Sequence, residues 1–226
     1  MLESIDRRDV RAQTSELEQA QIRDPRVIHA ISAISKISRT CNGISDTSVS
    51  EDKLELLEQG QILARTARAN IGKALDYLFA RDYKLGSEAD VEELFWKVAD
   101  IVNEGLVDKS KQGAVRKWPG KDHEYPPESE IPKLLNDFYH GFYFRTRAEQ
   151  DPVRFAAWSE QTINLGIHAL PDGCGRVAAV FGAWILGEHN LMCPVHENGA
   201  VCFKNMKSDF ESWLGYYRSL VSSEVH

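Results

Sequence analysis

The stretch from Val177 to Leu186, VAAVFGAWIL, constrains this chain more than any other. Read as a helix it is apolar on nearly every side, so it has to be buried on all faces. Only a shell of other elements packed around it can do that. The residues before it are of the opposite character. His168 to Arg176 reads HALPDGCGR, a short loop holding a histidine, a carboxylate, two glycines and an arginine. Gln161 to Asn190 as a whole reads as helix, tight loop, helix. A loop this polar, opening into the most apolar helix, points to chemistry as well as connection.

The residue types suggest which chemistry. Gly173 and Gly175 flank one residue at the start of the second helix. Without Cβ atoms there, backbone N–H groups can converge on an anion, and the helix N-terminus adds partial positive charge. Arg176 supplies a permanently charged fork for a phosphate oxygen. Asp172 stands where one carboxylate can hold a magnesium ion that also bridges phosphates. His168, four residues earlier, ends the first helix and can take a proton from an attacking hydroxyl. Together they form a base, a metal ligand and an anion cradle, the parts phosphoryl-type transfer needs.

The rest of the chain reads as helices by period. Asp24-Pro25 supplies an N-cap and a proline at the first helical position, ahead of an apolar face of Val27, Ile28, Ile31, Ile34 and Ile37. Ser48 with Glu51 reads as a capping box for a short helix through Leu57, which Gly60 interrupts. Ala64, Ala67, Ile71, Ala74, Leu75 and Leu78 mark the next helix. Ser87 caps the one carrying Val91, Leu94, Phe95, Val98, Ile101 and Val102. Asp108 to Ser129 is polar and punctuated by Gly and Pro, the place for a β-hairpin. Ser208 and Glu211 open a last helix with Phe210, Trp213, Leu214, Tyr217 and Leu220 inward. The fold class is all-α, with one small flap.

Charge and composition narrow the partners. The 226 residues carry a net charge of −7, which argues against nucleic acid as a partner. MLESIDRRDV is charged from its third residue, and no apolar run approaches the ~20 residues of a membrane span. No targeting signal and no membrane partner are expected, and the location expected is cytoplasmic, with export as an effector left open. Cys41, Cys174, Cys193 and Cys202 are scattered and read as reduced thiols. The expected organisation is an N-terminal helical lead over residues 1–60 and a core domain over 61–226.

HALPDGCGR resembles the signature of the Fic proteins, HxFx[DE]GNGRxxR. Further matches lie upstream. Val91 to Leu106 is similar to the family's first core helix. Gly113, Arg116, Pro126 and Pro127 resemble its flap, and Ile131, Leu134 and Leu135 the helix after it. Asp151-Pro152 and Ala156 to Trp158 resemble the start of its pre-motif helix. Roughly three quarters of the chain is covered. The resemblance implies a Fic-like helical bundle with a β-hairpin flap, acting as a nucleotidyltransferase. His168 is then the general base on a Tyr, Thr or Ser hydroxyl of a target protein. Asp172 holds Mg2+, and Gly173, Cys174, Gly175 and Arg176 bind the phosphates of ATP or another nucleotide donor. The default is AMP transfer. A catalytically inactive binding protein, a different phosphate-containing donor and a small-molecule acceptor are the alternatives.

Three signature positions depart from the pattern. Cys174 replaces the asparagine, Ala179 the final arginine and Leu170 the phenylalanine. Ser38 to Gly60 resembles the end of the family's inhibitory helix and the loop after it, with Asn42 where the inhibitory glutamate belongs. Both partners of that salt bridge are thus absent together, which implies lost charge-based autoinhibition. A buried carboxylate without its arginine is costly, so the two losses favour each other. The family's flap takes target segments by strand addition, and Arg116 and Lys117 favour an acidic one; Trp118 is open to docking. Two rival chemistries remain. Cys174, at a helix N-terminus near His168, has the setting of a nucleophilic thiol. His189, Cys193, His196 and Cys202 are ligand types zinc accepts, at a spacing that fits no common zinc pattern.

Overall fold

A computed structural model describes residues 24–38, 51–80, 85–108 and 125–221, with residues 51–58 described by backbone alone. These residues form eight α-helices and no strand. They are α1 (Pro25–Ile37), α2 (Glu51–Phe79), α3 (Glu88–Asn103), α4 (Ile131–Ala148), α5 (Pro152–Gln161), α6 (Cys174–Gly187), α7 (Gly199–Met206) and α8 (Phe210–Leu220). A 3-10 turn, Glu128–Glu130, leads into α4. A π-helical turn, Thr162–Ile167, extends α5. Most of the hairpin expected between Asp108 and Ser129 lies outside the described residues, as do Gly113, Arg116, Lys117 and Trp118.

α6 is the axis of the molecule. Every residue from Cys174 to Gly187 except Gly175 is buried, as an all-round apolar helix requires. Helices α1, α2, α3 and α5 pack around it. The closest approach is that of α5: a Cβ on Gly182 would lie 2.0 Å from Glu160 Oε1. Glycine at 182 thus lets the carboxylate-bearing helix lie flat against the core. Phe95, Phe138, Phe142 and Phe181 fill the adjoining layer, with ring centroids 5.5–6.2 Å apart. α8 closes the far side of α5, where the Trp213 indole N–H donates to the Ala157 carbonyl at 2.9 Å.

Local signals set the helix starts. Asp24 accepts from the Arg26 backbone N–H at 2.8 Å, with Pro25 beside it. Ser87 and Asp90 form a reciprocal capping box on α3. Asp151 caps α5 through Val153 and Arg154.

Some expectations change. Gly60 does not interrupt a helix: α2 runs unbroken from Glu51 to Phe79, so the expected boundary between residues 60 and 61 falls within it. One interior glycine costs about 1 kcal/mol, which a long packed helix absorbs. Ser48 lies outside the described residues. On α1 the inward face is Val27, Ala30, Ala33 and Ile34, while Ile28 is 55% exposed. The buried stripe runs through the two alanines, which leaves Ile28 on the outer side of the helix. α8 is capped by Asp209, which accepts from the Ser212 N–H at 3.0 Å. Ser208 instead gives its hydroxyl to the Asn205 carbonyl. Among the described residues, no helix is long and apolar enough to cross a membrane.

Candidate functional site

The π turn after α5 delivers His168. Its N–H reaches back to the Ile163 carbonyl at 3.1 Å, and its backbone is left-handed, with φ 46°. A non-glycine residue in that region needs support, and the imidazole provides it. Nδ1 donates to the Asn164 carbonyl at 2.7 Å. That bond fixes the neutral ring with its proton on Nδ1 and leaves Nε2 as the basic nitrogen. Tyr125 lies over the imidazole, ring centroids 3.7 Å apart and planes within 15°.

The loop then turns through Gly173 (φ 83°) into α6. Asn103, the last residue of α3, clamps it. Its Nδ2 donates to the Asp172 carbonyl at 3.1 Å, and its Oδ1 accepts from the Arg176 guanidinium at 3.1 Å. A side chain at Gly173 would strike that amide oxygen, 2.3 Å from an ideal Cβ. Asp172 is more than half exposed; Oδ1 accepts from the Gly173 N–H at 2.7 Å and Oδ2 from Arg176 at 3.3 Å. Arg176 is only 4% exposed. It is tied to Asp172 and Asn103 along the cavity wall.

These groups open on one cavity of about 1250 Å³. His168, Asp172 and the residues from Gly173 to Arg176 line it. Ile34, Lys36, Ile37 and Ser38 at the C-terminal end of α1, Phe203 and Lys204 of α7, and Lys207 just after it also line the cavity. Lys36, Lys204, Lys207 and Arg176 outnumber Asp172 and Glu160 there, in a chain of net charge −7. The local field thus favours an anion. Asp172 has the exposure of a magnesium ligand, and magnesium is commonly held by one or two carboxylates plus substrate phosphates. Asn42, the position of the missing inhibitory glutamate, lies outside the described residues. Ala179 is buried in a small void beside Ile34 and Ile37 of α1 and Glu160 of α5.

The rival chemistries fare differently from the loop. Cys174 is 2% exposed and turns back on the loop. Its Sγ accepts from the Leu170 N–H at 3.3 Å and faces the Leu170 carbonyl at 3.6 Å. Only the backbone of Cys174 is placed to serve a ligand, so the thiol neither stands at an attack position nor replaces the lost amide. Nearby, the Asn164 amide sits 3.5 Å from where a Cβ on Gly175 would be. His189, Cys193, His196 and Cys202 do not assemble into a metal-holding group. His189 is exposed, while His196 stacks on Trp213 and its Nδ1 lies 3.2 Å from the Tyr216 hydroxyl. Burial pushes the Cys193 and Cys202 thiols up, the latter to about 12, as in unreactive buried thiols. Among the described residues, no group of three or more His, Cys, Asp or Glu could hold a metal ion.

Asn103, Asn164 and Glu160 were not legible as site residues. Asn103 ends a helix about seventy residues before the loop it holds. Asn164 is an ordinary polar residue in sequence, and Glu160 looks like any helical glutamate.

No protein-family model and no curated protein matches this sequence. Solved structures do match. A Fic domain containing signaling protein from Bacteroides thetaiotaomicron is 13% identical, over 93% of this chain and 92% of that one, with a TM-score of 0.57. A Fic family protein from Desulfovibrio desulfuricans is 17% identical over 97% of this chain and 67% of that one, with a TM-score of 0.47.

Proposed function

We propose that this chain, which has the fold of the Fic-domain proteins, is a transferase that moves a phosphate-linked group onto a hydroxyl. The default is AMP, passed from ATP to a Tyr, Thr or Ser of a target protein. One observation carries this reading: His168, Asp172 and the N-terminus of α6 open on one predominantly cationic cavity. His168 Nε2, held as the base by the Asn164 carbonyl, takes the proton of the incoming hydroxyl. The hydroxyl oxygen bonds to the donor's phosphorus as the bond to the leaving phosphate breaks. The N–H groups from Cys174 onward, with Arg176, stabilise charge that grows on the transferred group. Asp172 is the residue that would hold magnesium, which neutralises donor phosphates when bound. Ala179 stands where the signature has a second arginine, and Lys36, Lys204 and Lys207 line the cavity that would take the distal phosphates.

The test is label transfer into a cell lysate by wild type and His168→Ala. Each α-labelled nucleoside triphosphate is tried in turn with magnesium, then γ-labelled ATP. Label dependent on His168 supports a transferase, and the productive donor separates nucleotidylation from phosphorylation. Absence of transfer with every donor favours the second reading, a Fic-like binding protein without turnover. The observation favouring it is the Tyr125 ring stacked on His168, which covers the base.

A further inference from the structure

Glu160, in the last turn of α5, lines the main cavity together with Asn164 of the π-helical turn and His168 just after it. A donor with its phosphates on the α6 N-terminus would share that cavity with this carboxyl. Glu160 is 2% exposed. Its hydrogen bond comes from the Tyr217 hydroxyl, which donates to Oε1 at 2.5 Å. Among the described residues, no ion pair includes Glu160, and Oε2 has no hydrogen-bond partner. The groups packed around it supply no cation. Tyr217 comes from α8, Cys193 and His196 from the segment before α7, Cys202 from α7, and α6 and α1 contribute Gly182, Ala179, Ile34 and Ile37. Lys204 of α7 and Lys207 just after it line the same cavity without pairing to it.

A carboxylate so placed is costly, so the group keeps its proton: burial pushes its acidity up to about 8. Near neutral pH it is a hydroxyl donor with no acceptor in the protein at Oε2. Such a donor selects against ligands that cannot accept from it, because its desolvation is then uncompensated. Resting on the transferase reading above, we infer that Glu160 is a specificity-determining residue that donates a hydrogen bond to an uncharged acceptor on the donor's head, such as a carbonyl oxygen or unprotonated ring nitrogen of a nucleobase. Cationic heads such as a quaternary ammonium are not its ligands.

The test uses equilibrium binding of ATP, GTP, CTP, UTP and pyrophosphate, each with magnesium, to the full chain carrying His168→Ala to prevent turnover. Glu160→Gln keeps a neutral donor and the Tyr217 bond. It should bind the preferred nucleotide within about threefold of the Glu160 protein at pH 6.5, whereas Glu160→Leu should bind it at least tenfold more weakly. Raising the pH to 9 should weaken nucleotide binding about tenfold with Glu160 and leave Glu160→Gln unchanged, since only the former ionises. Pyrophosphate, which has no head, should bind all three proteins alike. Thermal unfolding checks that each variant is folded, and the pH comparison stands even if Glu160→Leu is not. Nucleotide binding that strengthens with pH, or that is indifferent to Glu160, overturns the assignment while leaving the phosphate cradle intact. If neither nucleotides nor pyrophosphate bind, the assignment and the transferase reading fall together.

Discussion

Asn103 and Arg176 meet 3.1 Å apart across 73 residues of chain, the amide oxygen of one accepting from the guanidinium of the other. The same amide donates to the Asp172 carbonyl, so one side chain at the end of α3 fixes both the turn and the arginine of the loop. Both partners are held in a wall of the cavity, and Arg176 is almost wholly buried.

Replacing Asn103 with Ala should therefore cost about 1–3 kcal/mol, because a buried charged donor loses an acceptor. Transfer activity should fall more than stability suggests, by roughly tenfold to a hundredfold, as the loop loses its register. Chemical denaturation and label transfer on the same preparation check this. Activity near wild type in Asn103→Ala would show that the clamp is dispensable.

The two loop glycines should respond differently. Gly173→Ala meets both a left-handed backbone and the Asn103 oxygen at 2.3 Å, and should lose about 2 kcal/mol or more. Gly175→Ala places its Cβ in ordinary contact, 3.5 Å from Asn164, and should stay within about 1 kcal/mol of wild type. Binding of pyrophosphate with magnesium should weaken in both. Equal melting temperatures for the two variants would contradict the geometry.

Cys174→Ala should remain active. The thiol faces Leu170, so its loss removes a weak buried hydrogen bond worth about 1 kcal/mol. Label transfer should stay within about threefold of wild type, in contrast to His168→Ala. A folded Cys174→Ala protein as inactive as His168→Ala would restore the covalent mechanism.

Stability should depend on pH through two buried groups of opposite sign. Glu160, at about 8 against its ordinary 4.5, binds its proton more tightly when folded. Its stabilisation is complete below about pH 4.5 and is lost as pH rises through 8, on the order of 5 kcal/mol in all. His196, pushed down to about 4 from 6.5 by burial, contributes above pH 6.5 and is lost as pH falls toward 4. Between pH 6.5 and 8 only the Glu160 slope is expected from these two. The melting temperature of wild type should fall across that window and that of Glu160→Gln should not. Parallel curves would mean that Glu160 does not change protonation there.

Much of the architecture was legible in the sequence because local rules decide it. Asp24, Ser87 and Asp151 stand at helix starts, since a short polar side chain satisfies N–H groups only a few residues away. The all-round apolar run of α6 implied a central helix, because no other arrangement buries every face. The loop at 168–176 was legible as a candidate site from spacing alone: a histidine ending a helix and glycines opening the next must face one another. Where several local choices were nearly equal in energy, the reading slipped. Gly60 broke no helix, Ile28 turned outward, and Asp209 rather than Ser208 capped α8.

What only the tertiary structure decided is the company each site residue keeps. Burial and pairing depend on segments far apart in sequence, and no local periodicity encodes them. Asn103 became a clamp because α3 ends beside the loop, and Arg176 turned into the wall to meet it. Cys174 lost the role of nucleophile because its thiol faces Leu170. Glu160, one helical glutamate among many by sequence, became a protonated donor because α5, α6 and α8 close around it and bring a tyrosine but no cation. The sequence determined which residue types gather at the loop; packing at long range determined which of them face the cavity, and in what state of charge.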